Sequence, residues 1–336
     1  MRRTVAGNRE RWIDRIRSSL ERAGFYVAAT HGVRPSSFDL AARRDATLLL
    51  LKVLKNIDAL DADEARRLLE LGRLFPAVVL VVGRTSGASQ LDPGVVYTRY
   101  GVPIITEETL EEYLEKALPP FLYASPGGTF ARIDGARLQV LRRARGLSLG
   151  GLAAIAGVSR RAIQLYEDGA GAEASVIERI EAYLGEPIVR PIDLFGRTRS
   201  ARPAGADRPE PAGPEPKDRT GEHTLASTGD PQRDDVLQRL DGLGLEVVVT
   251  VRAPFDALGR TPGILLAGVG SLRSALHRAE VLQGLARVAE GHAMFVVWET
   301  SHRATIDGVP VLSVRELRRH RDRDDLLEEI EERERP

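Results

Sequence analysis

Apolar residues recur at two different periods along this chain, and the changes of period mark its parts. Helical spacing over Trp12–Ala23 predicts a first helix. Phe25–Ala29, Phe38–Ala42, Leu48–Leu54 and Ala77–Val82 are short apolar runs bounded by Gly, Pro, Ser or charged residues, and read as strands. Helical spacing returns over Ala62–Leu74 and Thr106–Ala117. Strand and helix signals alternating over residues 1–125 predict a compact α/β domain. Past the turn Tyr123–Gly128 the pattern changes: from Arg132 to Leu194 only helical patterns and short breaks remain, predicting an all-α domain over residues 130–195. Its helices are expected at Leu138–Arg145, Leu149–Ala156, Arg160–Glu167 and about Ala174–Leu184. Ser148 and Ser159 stand where side-chain oxygens cap the second and third helices, and Gly157 supplies a φ > 0 position between them. Gly146 ends the first helix; Gly185, with Pro187 beyond it, ends the fourth.

Residues 196–235 carry neither period. These 40 residues hold one large apolar side chain, Leu225, no aromatic, six of the nineteen prolines and fifteen charged residues. Such a segment cannot bury enough apolar surface to offset its ordering entropy, so it reads as a disordered linker. Residues 236–336 then repeat the first domain in outline. Leu20–Val27 is echoed by Leu240–Val247, Phe38-Asp39 by Phe255-Asp256, Thr47–Val53 by Ile264–Gly270, and Ala77–Val82 by Ala293–Val297. Gly101-Val102-Pro103-Ile104-Ile105 returns as Gly308-Val309-Pro310-Val311-Leu312, each before a helix. The expectation is a second α/β domain that is a degenerate copy of the first; the competing reading is that two small α/β domains share such patterns by chance. The tail Arg321–Arg335 reads as a solvated terminal helix or a short pairing helix.

Composition narrows the chemistry. With 48 basic and 48 acidic residues, any nucleic-acid surface must be a local patch. Such a patch is present: Gly135–Tyr166 has six arginines (137, 142, 143, 145, 160, 161) and no acid, whereas Glu167–Asp193 has seven acids and two arginines. One half of the helical domain can therefore meet phosphates while the other faces away. Zero cysteines exclude disulfides, thiolate metal sites and thiol nucleophiles. The six histidines form no close pair, no phosphate-loop motif occurs, and the longest clean apolar runs are far short of the ~20 residues that span a bilayer. No secretory signal precedes the first helix, so a cytoplasmic location is expected.

The helical segment resembles the Xre/Cro type of helix-turn-helix. The likeness is carried by Leu141-Arg142, Gly146-Leu147-Ser148, Leu152-Ala153, Gly157-Val158-Ser159-Arg160, Ile163 and Tyr166-Glu167-Asp168-Gly169, over roughly 60 residues. In that family the third helix enters the major groove with its N-terminal residues facing base edges. The resemblance implies base-facing Arg160 and Arg161, with Gln164 on the same exposed face and Ile163 and Tyr166 in the core. The capping Ser148 and Ser159 join the expected DNA-binding set, and Arg142 and Arg143, in the basic half, are expected as phosphate contacts. Leu149 and Gly150-Gly151 depart from the family's polar phosphate clamp. Leu165 stands where a polar base-contacting side chain is common and can meet a thymine methyl. The layout up to the linker, including Arg34–Arg44 and Leu48–Lys52, is also similar to archaeal proteins described as helix-turn-helix transcriptional regulators.

In the α/β domain, Asp39 followed by Leu50-Leu51-Lys52 is similar to the core of restriction-endonuclease-like folds, where an Asp and a Glu-x-Lys hold Mg²⁺ and steady the attacked phosphate. Leu50 takes the Glu position, and the second copy reads Asp256 with Ala267-Gly268-Val269. The expectation is a catalytically dead, nuclease-like domain, beside the alternatives of an active nuclease and of an unrelated α/β domain. No catalytic residue, metal or cofactor is assigned. The whole reads as a sequence-specific, double-stranded-DNA-binding transcription regulator, acting as a homodimer away from membranes, its effector open. The alternatives are a DNA-processing or DNA-structure-binding protein targeted by the helix-turn-helix, and the DNA-binding half of a toxin–antitoxin pair.

Overall fold

The computed structural model describes residues 7–30, 33, 36–196, 228–250, 252–260, 263–300 and 303–335. The chain opens with helix α1 (Asn8–Arg22), whose buried face carries Trp12, Ile13, Ile16 and Leu20 at three- and four-residue spacing. Strands β1 (Tyr26–Ala29), β2 (Leu40–Arg44) and β3 (Thr47–Asn56) form an antiparallel meander, with Val27 opposite Ala42 and Leu40 opposite Leu51. Leu48 to Val53 of β3 are buried without a break, which is why that strand reads as an apolar run rather than an alternation. Helix α2 (Ala62–Leu74) starts where the Asp61 carboxylate accepts from the Glu64 N–H. Then come β4 (Val78–Ser86), the short β5 (Ser89–Gln90), and the hairpin of β6 (Val95–Arg99) and β7 (Val102–Ile105). Helix α3 (Glu107–Glu115) is capped by Thr106.

Strands β8 (Leu122–Ser125) and β9 (Gly128–Arg132) lead into α4 (Gly135–Ala144), α5 (Leu149–Ala156) and α6 (Arg160–Glu167). Strand β10 (Gly171–Glu173) pairs back on β9, and α7 (Ala174–Leu184) closes the segment. The last part runs α8 (Pro231–Gly242), β11 (Glu246–Val249), β12 (Ala257–Arg260), β13 (Ile264–Gly270), α9 (Leu272–Ala289) and β14 (His292–Val297). It ends with β15 (Thr305–Ile306), β16 (Val309–Ser313), α10 (Val314–Leu317) and α11 (Arg323–Glu334).

The chain forms two compact units. The first contains the described parts of Met1–Val53, Asp61–Leu80 and Arg219–Pro336. In it, β1-β2-β3 with the start of β4 build one lobe, and β11-β12-β13-β14-β16-β15 build the sheet of another. Helix α9 packs on its own strands β13 and β14 and also on β1 and β2, so it serves both lobes. A Cβ on Gly284 would lie 3.2 Å from that of Ala28, so the small residue permits this approach. Phe75 meets Phe255 edge-on at 5.8 Å, the Ser37 N–H donates to the Arg252 carbonyl, and Arg43 donates to the Val288 carbonyl at 2.5 Å. The second unit contains Leu54–Leu60 and the described parts of Val81–Asp218. Here the end of β4 runs parallel to β7, followed by β6, β8, β9 and β10. The helical segment's own core gathers Leu138, Leu152, Ile163, Ile177 and Ile180.

Apart from β5 and a short turn at Ile57–Ala59, the elements from α1 to α3 follow the same order along the chain as those from α8 to α10. The β6–β7 turn holds Tyr100 and Gly101 at φ 50° and 79°; the β15–β16 turn holds Asp307 and Gly308 at 48° and 79°. Two successive positive φ values are what a two-residue hairpin turn of the right twist requires.

Several sequence expectations shift. Residues 231–235 are the first turn of α8, N-capped by Asp230, not linker; of the remaining expected linker, residues 197–227 lie outside the described residues. The segment expected to be purely helical contains β10, because three residues after α6 find an open edge on β9. Strand β6, unread in the sequence, pairs with β8, and β8 pairs with β9 across the expected domain border near residue 125. The tail expected to be solvated buries Leu326 and Ile330 completely in the last lobe.

Candidate functional site

Helix α6 is set by its two ends and one buried side chain. The Ser159 Oγ accepts from the Ala162 N–H (3.1 Å), as the Ser148 Oγ does from Gly151 for α5 (3.0 Å). Gly157 ends α5 at φ 69°, a left-handed conformation that lets the chain reverse in three residues. Ile163 is fully buried. That orientation turns Arg160, Arg161, Gln164 and Leu165 outward, all exposed, Leu165 to 48%. Arg161 and Leu165 are four residues apart and share one face. Neither Arg160, Arg161 nor the equally exposed Arg143 forms an ion pair among the described residues.

The other arginines of this basic stretch turn inward or bridge. Arg142, expected at phosphate, is only 8% exposed. Its Nε and Nη2 donate to the Glu167 carboxylate at 2.5 and 3.0 Å, and its Nη1 donates to the Leu147 carbonyl at 2.8 Å. The Glu167 carboxylate raises the guanidinium pKa further, against the opposing pull of burial. Arg142 therefore ties α4 to the end of α6 and to the α4–α5 loop, and leaves the phosphate set. Arg145 donates to the carbonyls of Tyr183 and Leu184 at the end of α7, and Arg137 pairs with Glu186 at 2.6 Å. At the start of α4, a Cβ on Gly135 would come within 2.1 Å of the Glu167 carbonyl, so glycine is what permits this close crossing. The outward set is thus Arg143, Arg160, Arg161, Gln164 and Leu165, with Ser148 and Ser159 at the helix starts.

The acid of the first α/β lobe is occupied. Both Asp39 oxygens accept from Arg9 Nη2, at 2.9 and 2.8 Å, and one also accepts from the Val53 N–H at 2.8 Å. Lys52 pairs with Glu64 on α2 at 2.8 Å and donates to the Ser36 carbonyl. Leu50, at the expected Glu position, is 1% exposed in the core. A divalent metal would need anionic oxygens here. The Asp39 carboxylate already serves a guanidinium and that of Glu64 an ammonium, and among the described residues no three His, Asp or Glu side chains are placed to hold a metal ion. The residues present do not fit the metal. In the preceding segment, Arg34 and Pro35 lie outside the described residues.

The last lobe repeats the frame with different side chains. Asp256 accepts from the Val269 N–H at 2.7 Å, as Asp39 does from Val53. Thr250 donates to the Phe255 carbonyl as Thr30 does to that of Phe38, at 2.9 and 3.0 Å. Asp256 is clamped by Arg278 of α9 (2.9 Å) and Arg233 of α8 (3.2 Å). Where Lys52 stands in the first lobe, Gly268 lies under the Phe295 ring, whose nearest atom would be 2.4 Å from a Cβ. The sequence offered no sign of these clamps, because Arg9, Arg233 and Arg278 sit in helices at no distinctive spacing from the acids they reach.

Three comparisons bear on this geometry. The family model described as PD-(D/E)XK superfamily domain matches residues 9–120. A "Putative HTH-type transcriptional regulatory protein" of Halorubrum lacusprofundi is 36% identical over 326 residues, 96% of each chain. The chain belongs to this archaeal family of helix-turn-helix-type transcriptional regulatory proteins. Members bearing the same name in Halobacterium salinarum and Methanocella arvoryzae are 36% and 34% identical over 97% of this chain and 98% and 97% of theirs. No solved structure matches the chain significantly. Among the described residues, no helix is long and apolar enough to cross a membrane.

Proposed function

We propose that this family member is a sequence-specific DNA-binding transcriptional regulator, with α4 to α7 as an Xre/Cro-type helix-turn-helix domain that inserts α6 into the major groove. One observation carries the reading: α6 turns Arg160, Arg161, Gln164 and Leu165 outward together, and among the described residues neither arginine forms an ion pair. Arg160 and Arg161 would reach base edges, and Leu165 a thymine methyl, while Arg143 and the N–H groups behind Ser148 and Ser159 would meet phosphates. A single domain of this size buries on the order of 1,000 Å² or less on DNA. Tight binding therefore calls for a homodimer on half-sites about one turn apart, in the cytoplasm. The α/β lobes act as non-catalytic bodies: Leu50 removes one ligand, and Arg9, Arg233 and Arg278 neutralise the acids. Residues 236–336 are read as a degenerate copy of the first lobe, the shared hydrogen bonds at Asp39 and Asp256 being the support.

The PD-(D/E)XK match favours one other reading, a protein that binds DNA junctions or ends through its nuclease-like lobe. Selection of bound fragments from the host genome with the full-length protein decides between them. Enrichment at promoters, lost in Arg160→Ala/Arg161→Ala, is the expected result. Enrichment at ends or junctions that survives those changes would overturn it.

A further inference from the structure

At the first acid centre, three oxygens surround one nitrogen. Nη2 of Arg9 lies 2.9 and 2.8 Å from the two Asp39 carboxylate oxygens and 3.0 Å from the Val53 carbonyl. One carboxylate and one carbonyl converging on a single point make a cation pocket, and the guanidinium nitrogen fills it. The last lobe presents the same two acceptors. Nη1 of Arg278 is 2.9 Å from Asp256 Oδ2, and its Nη2 is 3.4 Å from the Val269 carbonyl. The acceptors occupy matching places, an acid at the start of the second strand and a valine carbonyl on the third.

The arginines differ in number and source. Arg9 comes from α1, the first helix of its lobe; the last lobe supplies Arg278 from α9 and also Arg233 from α8, its own first helix, whose Nη1 is 3.2 Å from Asp256 Oδ1. A fixed pair of acceptors demands a positive charge, whichever helix supplies it. A carboxylate nine-tenths buried is costly unless a cation compensates it, and Asp39 is in that position.

We infer that the Asp–valine carbonyl pair of each lobe is a cation site whose resident is an arginine side chain, standing in place of the divalent metal that the remaining residues do not fit. In the first lobe no second arginine touches Asp39 among the described residues, so removing Arg9 opens the pocket to a divalent ion. With one carboxylate and one carbonyl as protein ligands, that ion keeps most of its water and binds weakly, with a dissociation constant on the order of 0.1–1 mM. This inference stands apart from the reading of α6 and survives if that reading fails.

The test titrates the full-length chain with MnCl₂ and follows free Mn²⁺ by electron paramagnetic resonance, comparing the parent, Arg9→Ala and Arg9→Ala/Asp39→Asn. Arg9→Ala should bind one Mn²⁺ more than the parent, and the double variant should lose it or bind at least tenfold more weakly. The thermal midpoint that Arg9→Ala lowers should rise again with Mn²⁺ but not with KCl of equal ionic strength. If Arg9→Ala does not accumulate folded, Arg9→Gln, which retains a neutral donor, is read in the same way. Absence of an additional Mn²⁺ in the folded variant, or one that persists when Asp39 is also changed, would overturn the inference.

Discussion

At the acid centres of the α/β lobes, Arg9 and Arg278 are turned in upon carboxylates and carbonyls, whereas on α6 Arg160 and Arg161 face solvent with no ion pair among the described residues. The same side chain is framework in one region and free charge in the other. The difference lies in what stands opposite: a largely buried acid at a strand end fixes each of the first pair, while Arg160 and Arg161 meet no acid among the described residues. Arg142 marks the boundary, since it belongs to the basic stretch by sequence but to the framework by geometry. An arginine that has exchanged its water for fixed partners cannot then meet a phosphate without leaving a buried acid unpaired. Counting positive charges along a segment therefore overstates its nucleic-acid surface.

The largest expected effect is at that boundary residue. Arg142→Met leaves the Glu167 carboxylate buried without its partner and should cost about 3–5 kcal/mol. Hydrogen exchange of α5 and α6 amides in the full chain reads this locally, and Arg142→Met/Glu167→Leu should restore most of the protection. Parent-like protection in the single variant would mean that Arg142 is not part of the framework. Next come the outward arginines. Arg160→Ala or Arg161→Ala should leave exchange unchanged yet cost roughly 1–3 kcal/mol per half-site on a selected operator and relax base preference. Arg143→Ala should weaken operator and random duplex alike and reduce the salt slope of log K by about one, as a lost phosphate contact does. A titration series at several salt concentrations separates the two.

A smaller effect is expected where a pair is neither inside nor free. His292 Nδ1 lies 2.9 Å from Glu334 at the end of α11, and this hydrogen bond raises the imidazole pKa above its ordinary value, against partial burial. A raised folded pKa means the contribution is complete below the ordinary histidine value of 6.5 and is lost as pH rises through the folded one. Exchange protection of α11 should fall over that interval by less than about 1 kcal/mol, given solvent screening, and His292→Gln should flatten the profile. The smallest expected effect is none: incubation of the protein with supercoiled plasmid and Mg²⁺ or Mn²⁺ should leave the plasmid intact. Nicking that disappears in Asp39→Ala would mean that Arg9 yields its place to a metal.

Elements governed by local spacing are legible in the sequence. Helices α2, α5, α6 and α7 begin and end where apolar periodicity, Ser148, Ser159 and Gly185 place them. The outward face of α6 follows from Ile163 alone, since one buried position orients eight residues. What escaped depends on partners far along the chain. Strand β6 has two buried valines, too short a run to read, and exists by pairing with β7 and β8. The inward turn of Arg142 is decided by Glu167, 25 residues later, and that of Arg9 by Asp39, 30 residues later. Leu326 and Ile330 looked like sparse apolar positions on a charged helix, because two buried side chains are enough to seat α11 when the lobe beneath it is already formed.

Helix α9, which serves two sheets, also bears on how the molecule comes into being. The exposed flank of β1 and β2 leaves the ribosome early, but the helix that covers it follows much later; the Arg43–Val288 hydrogen bond joins residues 245 apart. At roughly 5–20 residues per second, the first lobe waits on the order of ten to fifty seconds with that flank bare. During that interval Tyr26–Ala29 is a strand edge with apolar neighbours, the kind of surface that recruits wrong partners. Truncating the chain before α9 should therefore yield aggregation during synthesis, not a smaller soluble domain.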